Sequence, residues 1–435
     1  MAALPANVQF ERFYDHAAIS FDQPTFVGGH PEDPARLIVI ERAGGVYLLE
    51  KAGTEYERRE WFRLDANVAT HWDGAWAVEF HPDFKANRLF YVLYRRKDLE
   101  TRSVIEEWTV DPDGVSNPSK VRTLIEFKQK SIHSSGDMHF GPDGYLYSSQ
   151  ADRHIDAQDM RELYGKVIRI DVNDKDPGLQ YAIPRDNPFF GRTDARPEIW
   201  ATGLRVPWRF SFDPLNGDML LGDVGDVKND EVNLIKKGLN YGAGIVEGNC
   251  TSGDCSAIVN PILALRRDEG QCVIGGWVYR ADPASMFYGV YIFADYQLKK
   301  LFGMRLNAAK TGVEEFGVIS SASVPGYISA LGHDGAGGYY AAMYNEAGAV
   351  AQRKTQIWRL KHSELRPGPA TAVNPAQESR TAAHLRTRPF SPDRAFSLDG
   401  KRRPLEASGS MGEEKDLLIL RDSRTGRTRK WISLP

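Results

Sequence analysis

Apolar residues in this chain fall in short runs, several of them beside an Asp-Gly or Asn-Gly dipeptide. Three places share one order: an apolar or aromatic residue, a turn, then a short apolar strand. Phe140-Gly141-Pro142-Asp143-Gly144 precedes Tyr145-Leu146-Tyr147, and Phe212-Asp213-Pro214-Leu215-Asn216-Gly217 precedes Met219-Leu220-Leu221. Leu331-Gly332-His333-Asp334-Gly335 precedes Tyr339-Tyr340. Such turns supply the positive φ angles of a tight hairpin, so each predicts two antiparallel strands meeting at a corner.

Related apolar segments without so clear a turn are Leu37-Ile38-Val39-Ile40 with Gly45-Val46-Tyr47-Leu48, Leu89-Phe90-Tyr91-Val92, and Gly289-Val290-Tyr291-Ile292-Phe293. Together these make six units with almost no sustained helical periodicity. That pattern predicts an all-β chain, a six-bladed β-propeller with a C-terminal extension; a pair of β-sandwiches is the alternative. The distinction bears on function, because propeller blades converge on one axis where loops from distant parts of the chain meet. The propeller is expected over residues 8–362. Pro, Arg, Ser, Thr and Ala then dominate, predicting a tail of little fixed structure over 363–412. A terminal hairpin is expected over 413–435, where Leu417-Leu418-Ile419-Leu420 and Trp431-Ile432 flank a turn near Thr425-Gly426.

Composition narrows the function classes. The 435 residues are 42% hydrophobic and 26% charged with a formal net charge of -3, which offers no general attraction for a phosphate backbone. Nucleic acid is therefore not an expected partner. No run of about eighteen apolar residues occurs, so no membrane span is expected. The start Met1-Ala2-Ala3-Leu4-Pro5 lacks the basic head and apolar run of a secretory leader, which predicts a cytoplasmic or already processed chain. Cys250, Cys255 and Cys272 are too few for a disulfide scaffold, and none has a histidine at zinc-like spacing. Cys250 and Cys255 are able to close one small loop in an oxidising compartment, leaving Cys272 single.

The stretch from His133 to Asp152 carries the clearest chemistry. His133 precedes a strand-turn-strand and Asp152 follows it, so a hairpin returns the carboxylate to the end that holds the imidazole. Such a pair suits general-base removal of an alcohol proton, although a histidine bonded within a loop gives the same pattern. Arg205, in Gly203-Leu204-Arg205-Val206-Pro207-Trp208, is able to hold an anionic or quinoid oxygen or simply to pair with an acid in a blade loop. Gly222-Asp223-Val224-Gly225-Asp226, followed by Asn229-Asp230-Glu231, supplies the oxygen ligands calcium prefers, at a spacing unlike an EF-hand; a solvated acidic loop is the competing reading.

Dispersed over residues 20 to 360, these pieces resemble the glucose/sorbosone dehydrogenase family. The stretches that carry the resemblance include Phe80-His81-Pro82-Asp83-Phe84, His133-Ser134-Ser135-Gly136 and Gly165-Lys166-Val167-Ile168-Arg169-Ile170-Asp171. Further on come Glu198-Ile199-Trp200-Ala201-Thr202-Gly203-Leu204-Arg205, Asp230-Glu231-Val232-Asn233, Asn240-Tyr241-Gly242 and Gly275-Gly276-Trp277-Val278-Tyr279-Arg280. The resemblance implies a six-bladed propeller in which pyrroloquinoline quinone, bound at the axial end, accepts a hydride from an aldose hydroxyl. It implies His133 as general base, Asp152 as its orienting carboxylate, and Arg205 facing the quinone. It places Gly225 and Asp226 at a quinone-bound calcium, and Glu231 with the Tyr241 backbone at a second, structural calcium. Lys299, or Lys300 if the alignment shifts by one residue, matches a lysine that meets a cofactor carboxylate. A periplasmic or secreted home is the family expectation, the substrate class is a sugar or polyol, and the electron acceptor is left open.

The chain departs from the family pattern in several places. Trp72 stands where a glutamine is expected, Val206 where an asparagine follows the site arginine, and Val324-Pro325-Gly326-Tyr327-Ile328 lacks two anchoring arginines. Gln297 stands at the position of a disulfide partner for Cys272. Two further functions therefore remain open: a quinone-free propeller enzyme for lactone hydrolysis or isomerisation, and a non-catalytic binding propeller.

Overall fold

In the computed structural model the described residues are 4, 6–14, 19–69, 73–98, 102–128, 136–152, 157–320, 324–344, 354–362, 417–421 and 428–432. They form six four-stranded antiparallel sheets, the blades of a propeller, and the only helix among them is the single turn Phe84–Asn87. Each of the six units picked out by hydrophobic pattern falls in a different blade.

The innermost strands are Pro24–His30, Ala75–Phe80, Gly136–Phe140, Pro207–Phe212, Val273–Val278 and Tyr327–His333, numbered here as blades 1 to 6. Blades stack through apolar faces. Ile38, Ile40 and Val46 of blade 1 pack with Phe90 and Val92 of blade 2, all fully buried. Burying an aliphatic or aromatic side chain of this kind contributes about 1.5–3 kcal/mol. Polar links join neighbouring blades: Thr25 Oγ1 donates to Ala75 O (2.6 Å), Ser149 Oγ to Pro207 O (3.1 Å), and Ser329 Oγ to Pro24 O (2.5 Å).

The hairpin turns follow the expected chemistry with one difference. Gly144 (φ 79°) and Gly217 (φ 75°) take the left-handed conformation that favours glycine. In blade 6 the left-handed residue is Gly337 (φ 92°), two positions beyond the predicted Asp334-Gly335 corner. There Asp334 Oδ1 accepts the N–H groups of Ala336 and Gly338 and sets a longer turn.

The ring is closed by its own beginning. Blade 6 is built from Tyr327–His333, Tyr339–Tyr344 and Trp358–His362, and its outer strand is the N-terminal Val8–Arg12, paired from Val8↔His362 to Arg12↔Trp358. Met1–Gly368 form one compact unit and Pro369–Pro435 another. In the second unit, Leu417–Arg421 pairs antiparallel with Thr428–Ile432. The predicted tail over 363–412 lies outside the described residues. Among the described residues no helix is long and apolar enough to cross a membrane.

Candidate active site at the upper face

All six inner strands run the same way along the axis, so the molecule has an upper face where they begin and a lower face where they end. The hairpin register sorts the candidate residues between the two. Gly136 pairs with Gln150, which puts Asp152 at the upper face. Pro207 pairs with Asp223, which brings Arg205, Gly225 and Asp226 there as well. Val273 pairs with Asp295 and Asp295 with Lys300, which adds Lys299.

Asp152 and Arg205 are brought together: the Asp152 N–H donates to Arg205 O at 2.7 Å, and both residues are buried. His133 lies outside the described residues, as does Trp72. Arg205 is held at its main chain by Asp223, whose carboxylate accepts the N–H of Arg205 (2.9 Å) and of Val206 (2.6 Å). The tight approach begins at Gly203 (φ 76°), where a Cβ would fall 2.0 Å from Asn240 Oδ1.

The Arg205 guanidinium turns into the loop that follows Asp223. Its Nη1 donates to Val224 O (3.1 Å) and Gly225 O (2.7 Å), and Nη2 to Asp226 Oδ1 (2.6 Å). The oxygens expected to hold calcium thus surround a guanidinium. The set suits a hard cation chemically, and an ion at Gly225 O requires Arg205 to withdraw. Glu247, a residue the sequence reading missed, fixes this loop: its Oε1 accepts the N–H groups of Asp226 (2.6 Å), Val227 (2.9 Å), Lys228 (2.9 Å) and Asn229 (3.1 Å). Glu247 sits three residues before Cys250, which is bonded to Cys255; Cys272 is a buried free thiol.

Glu231 is buried, accepting from Gly248 N (2.8 Å) and Asn233 Nδ2 (3.2 Å), and it stands opposite Asp223 in the strand register. Burial raises both carboxyls, Asp223 to about 7 and Glu231 to about 8, the latter also through the charge of Asp223. The chemistry of this pair fits a cation. Asp223 was not singled out from sequence, although it lies within the quoted Gly222-Asp223 stretch. Tyr241 is buried beside the same blade, donating its N–H to Thr202 O (2.9 Å) and its hydroxyl to Leu234 O (2.7 Å). Among the described residues, no group of three or more His, Cys, Asp or Glu side chains forms a metal cluster.

Lys299 (φ 53°) lays its ammonium 3.8 Å over the Tyr327 ring, and Tyr327 in turn packs on Tyr296, ring centroids 5.1 Å apart. It meets no carboxylate among the described residues, so its charge is open to an anionic partner. Below this level Trp76 of blade 2 and Trp208 of blade 4 meet edge to face, centroids 5.9 Å apart, and both indole N–H groups are buried without a partner. Orphaned donors, tyrosine rings and an uncompensated ammonium fit a flat, anionic, acceptor-rich group.

Six four-stranded blades about one axis, with charged and polar residues gathered at the upper face, define a six-bladed β-propeller. Residues 22–309 match the family described as glucose/sorbosone dehydrogenase, and the chain belongs to that family. It is 36% identical over 267 residues to the HIPL2 protein of Arabidopsis thaliana, covering 52% of this chain and 37% of that protein. It is 30% identical over 248 residues to the aldose sugar dehydrogenase YliI of Escherichia coli (strain K12), covering 55% of this chain and 62% of that protein. The chain thus spans less than two thirds of the length of either relative. The structure of the PQQ-bound aldose sugar dehydrogenase from Streptomyces coelicolor superposes with a TM-score of 0.63 at 19% identity, covering 82% of this chain and 99% of the other. At that identity the likeness speaks to fold.

Proposed function

We propose that the protein oxidises a hydroxyl of an aldose sugar or related polyol, with pyrroloquinoline quinone as hydride acceptor and calcium as its partner ion. Membership of the family supports this reading, as does the sugar dehydrogenase activity named for the E. coli relative. The observation that carries it is the meeting of Asp152 and Arg205 at the upper face, where Gly136, three residues after His133, also begins its strand. When bound, the quinone supplies the two-electron acceptor. His133 takes the proton of the substrate hydroxyl, and Asp152 holds the imidazole in the accepting tautomer. Lys299 would meet an anionic group of the cofactor. Gly225 O and Asp226 would hold the calcium, in place of their present bonds to Arg205, and Glu231 with the Tyr241 main chain would hold a second ion.

The test is a titration of the purified protein with the quinone and calcium, following the cofactor spectrum and the reduction of an artificial acceptor by several aldoses. Saturable binding with aldose-dependent reduction is expected. Absence of binding at micromolar quinone excludes the proposal. His133→Ala is expected to abolish turnover while leaving cofactor affinity nearly intact; turnover that survives removes His133 as the base.

One observation favours a second reading, quinone-free lactone hydrolysis or isomerisation: the Arg205 guanidinium is already engaged by three oxygens. Hydrolysis of a sugar lactone by quinone-free protein, lost in His133→Ala, would establish it.

A further inference from the structure

The lower face holds a cavity of about 430 Å³ between the ends of the inner strands. Its depth is set by residues such as Val78 and Arg209, one or two positions below the Trp76–Trp208 contact. Phe80, Phe140, Phe212 and Trp277 line it, each half-buried although it lies on an inner strand. Glu79 and His333 bring polar atoms to the same wall.

The hydrogen bonds of that wall determine what it is able to receive. His139 uses both ring nitrogens, on Glu79 Oε2 (3.2 Å) and Asp137 Oδ2 (3.1 Å). Arg209 donates to Asp137 Oδ1 (3.1 Å) and to Thr25 O, and its Nε is sealed from solvent. Trp277 Nε1 is spent on Leu331 O (3.0 Å). His333 Nδ1 donates to Asp334 O (3.0 Å), which leaves Nε2 of the neutral ring as a lone-pair acceptor at the cavity wall. Burial draws that imidazole below its ordinary pKa. The Glu79 side chain is 23% exposed, and each carboxylate oxygen has capacity beyond the one bond it accepts from His139 Nδ1 or Phe140 N. The donors of this wall are spent on Glu79, Asp137 and main-chain oxygens or, like Arg209 Nε, sealed from solvent, so the polar capacity left open to a ligand is that of acceptors.

We propose that this cavity binds a small organic primary ammonium, its N–H groups on Glu79 and His333 Nε2 and its carbon body against Phe80, Phe140, Phe212 and Trp277. Aromatic walls attract a cation through their faces, and a carboxylate and an imidazole lone pair give an ammonium its direction. The volume lies in the range of small-molecule sites and exceeds what one bare metal ion fills. The site is separate from the upper face, and the proposal stands without the quinone.

Calorimetric titration near neutral pH with benzylammonium, benzyl alcohol and benzoate tests it. Saturable benzylammonium binding about ten-fold tighter than benzyl alcohol is expected, with no benzoate binding. Glu79→Gln and His333→Leu should each weaken the ammonium by about ten-fold and several-fold respectively, leaving the alcohol unchanged. Because Glu79 also holds His139, His333→Leu decides the matter if Glu79→Gln melts early. Equal affinity for alcohol and ammonium, preference for benzoate, no ammonium binding, or full binding by a folded variant each overturns the proposal.

Discussion

Asp143, Asp213 and Asp334 stand at the same corner of blades 3, 4 and 6, and each does more than shape a turn. Asp143 accepts the Tyr147 hydroxyl (2.8 Å) and pairs with Arg169; Asp213 pairs with Arg280; Asp334 accepts the Tyr340 hydroxyl (2.6 Å). The turn residues were legible in the sequence because a left-handed glycine leaves a local signature. The partners were not, because Arg280 lies far along the chain from Asp213. Arg205 shows the same limit. Its place at the upper face followed from the motif, whereas its grip on Gly225 O and Asp226 follows from a loop conformation that no spacing encodes. Arg205→Ala is expected to lower stability by about 1–3 kcal/mol, since the half-buried carbonyls of Val224 and Gly225 and the Asp226 carboxylate lose a charged donor. The same variant should bind calcium more tightly than the unaltered protein, because the competing guanidinium is gone. Equal calcium affinity in a side-by-side titration would mean the ion does not use these oxygens.

At the scale of elements, the loop after Asp223 depends on one carboxylate. Glu247→Ala leaves four N–H groups from Asp226 to Asn229 without their acceptor, a loss of about 1.5–3 kcal/mol concentrated in that loop. Hydrogen exchange of those amides should speed up while the blade strands stay protected; uniform behaviour across the protein would contradict a local role. Glu247 carries no signal in the sequence, because it sits among Gly, Asn and Cys residues that read as an ordinary loop. Ring closure was equally hidden, since Val8–Arg12 looks like an unremarkable leading segment until it is paired with Trp358–His362. Removing residues 1–12 exposes the edge of blade 6 and should lower the melting temperature by several degrees, with partial recovery when the same segment is added as a peptide. An unchanged melting curve would show that the strand is dispensable.

For the molecule as a whole, the axis is braced by charge. Arg209 reaches from blade 4 to Asp137 of blade 3 and Thr25 of blade 1, and His139 links Asp137 to Glu79 of blade 2. Burial opposes the His139 imidazolium, but the Asp137 and Glu79 carboxylates outweigh it and lift the pKa from 6.5 to about 10. A raised histidine stabilises the fold fully below about 6.5 and loses that contribution as pH climbs through about 10. Burial works against the Asp137 carboxylate too, yet His139 and Arg209 hold its pKa below the ordinary value, so its share is lost only in acid. Urea unfolding at stepped pH should therefore show a decline toward pH 10, and Glu79→Gln should begin that decline at lower pH. Identical alkaline profiles would rule out the brace. The alternation of Asp137 and His139 in an otherwise apolar strand was the one sequence signal for this cluster, and it was overshadowed by the nearby His133.

Closure by the first strand also bears on how the protein is made. Glu11 and Lys361, joined across the seam at 2.8 Å, are separated by 350 positions. At about 5–20 residues per second, roughly 20 to 70 s of translation pass between them. During that time the leading segment has no docking place and its hydrogen-bonding edge stays bare, so a nascent-chain chaperone that shields it is expected to raise yield.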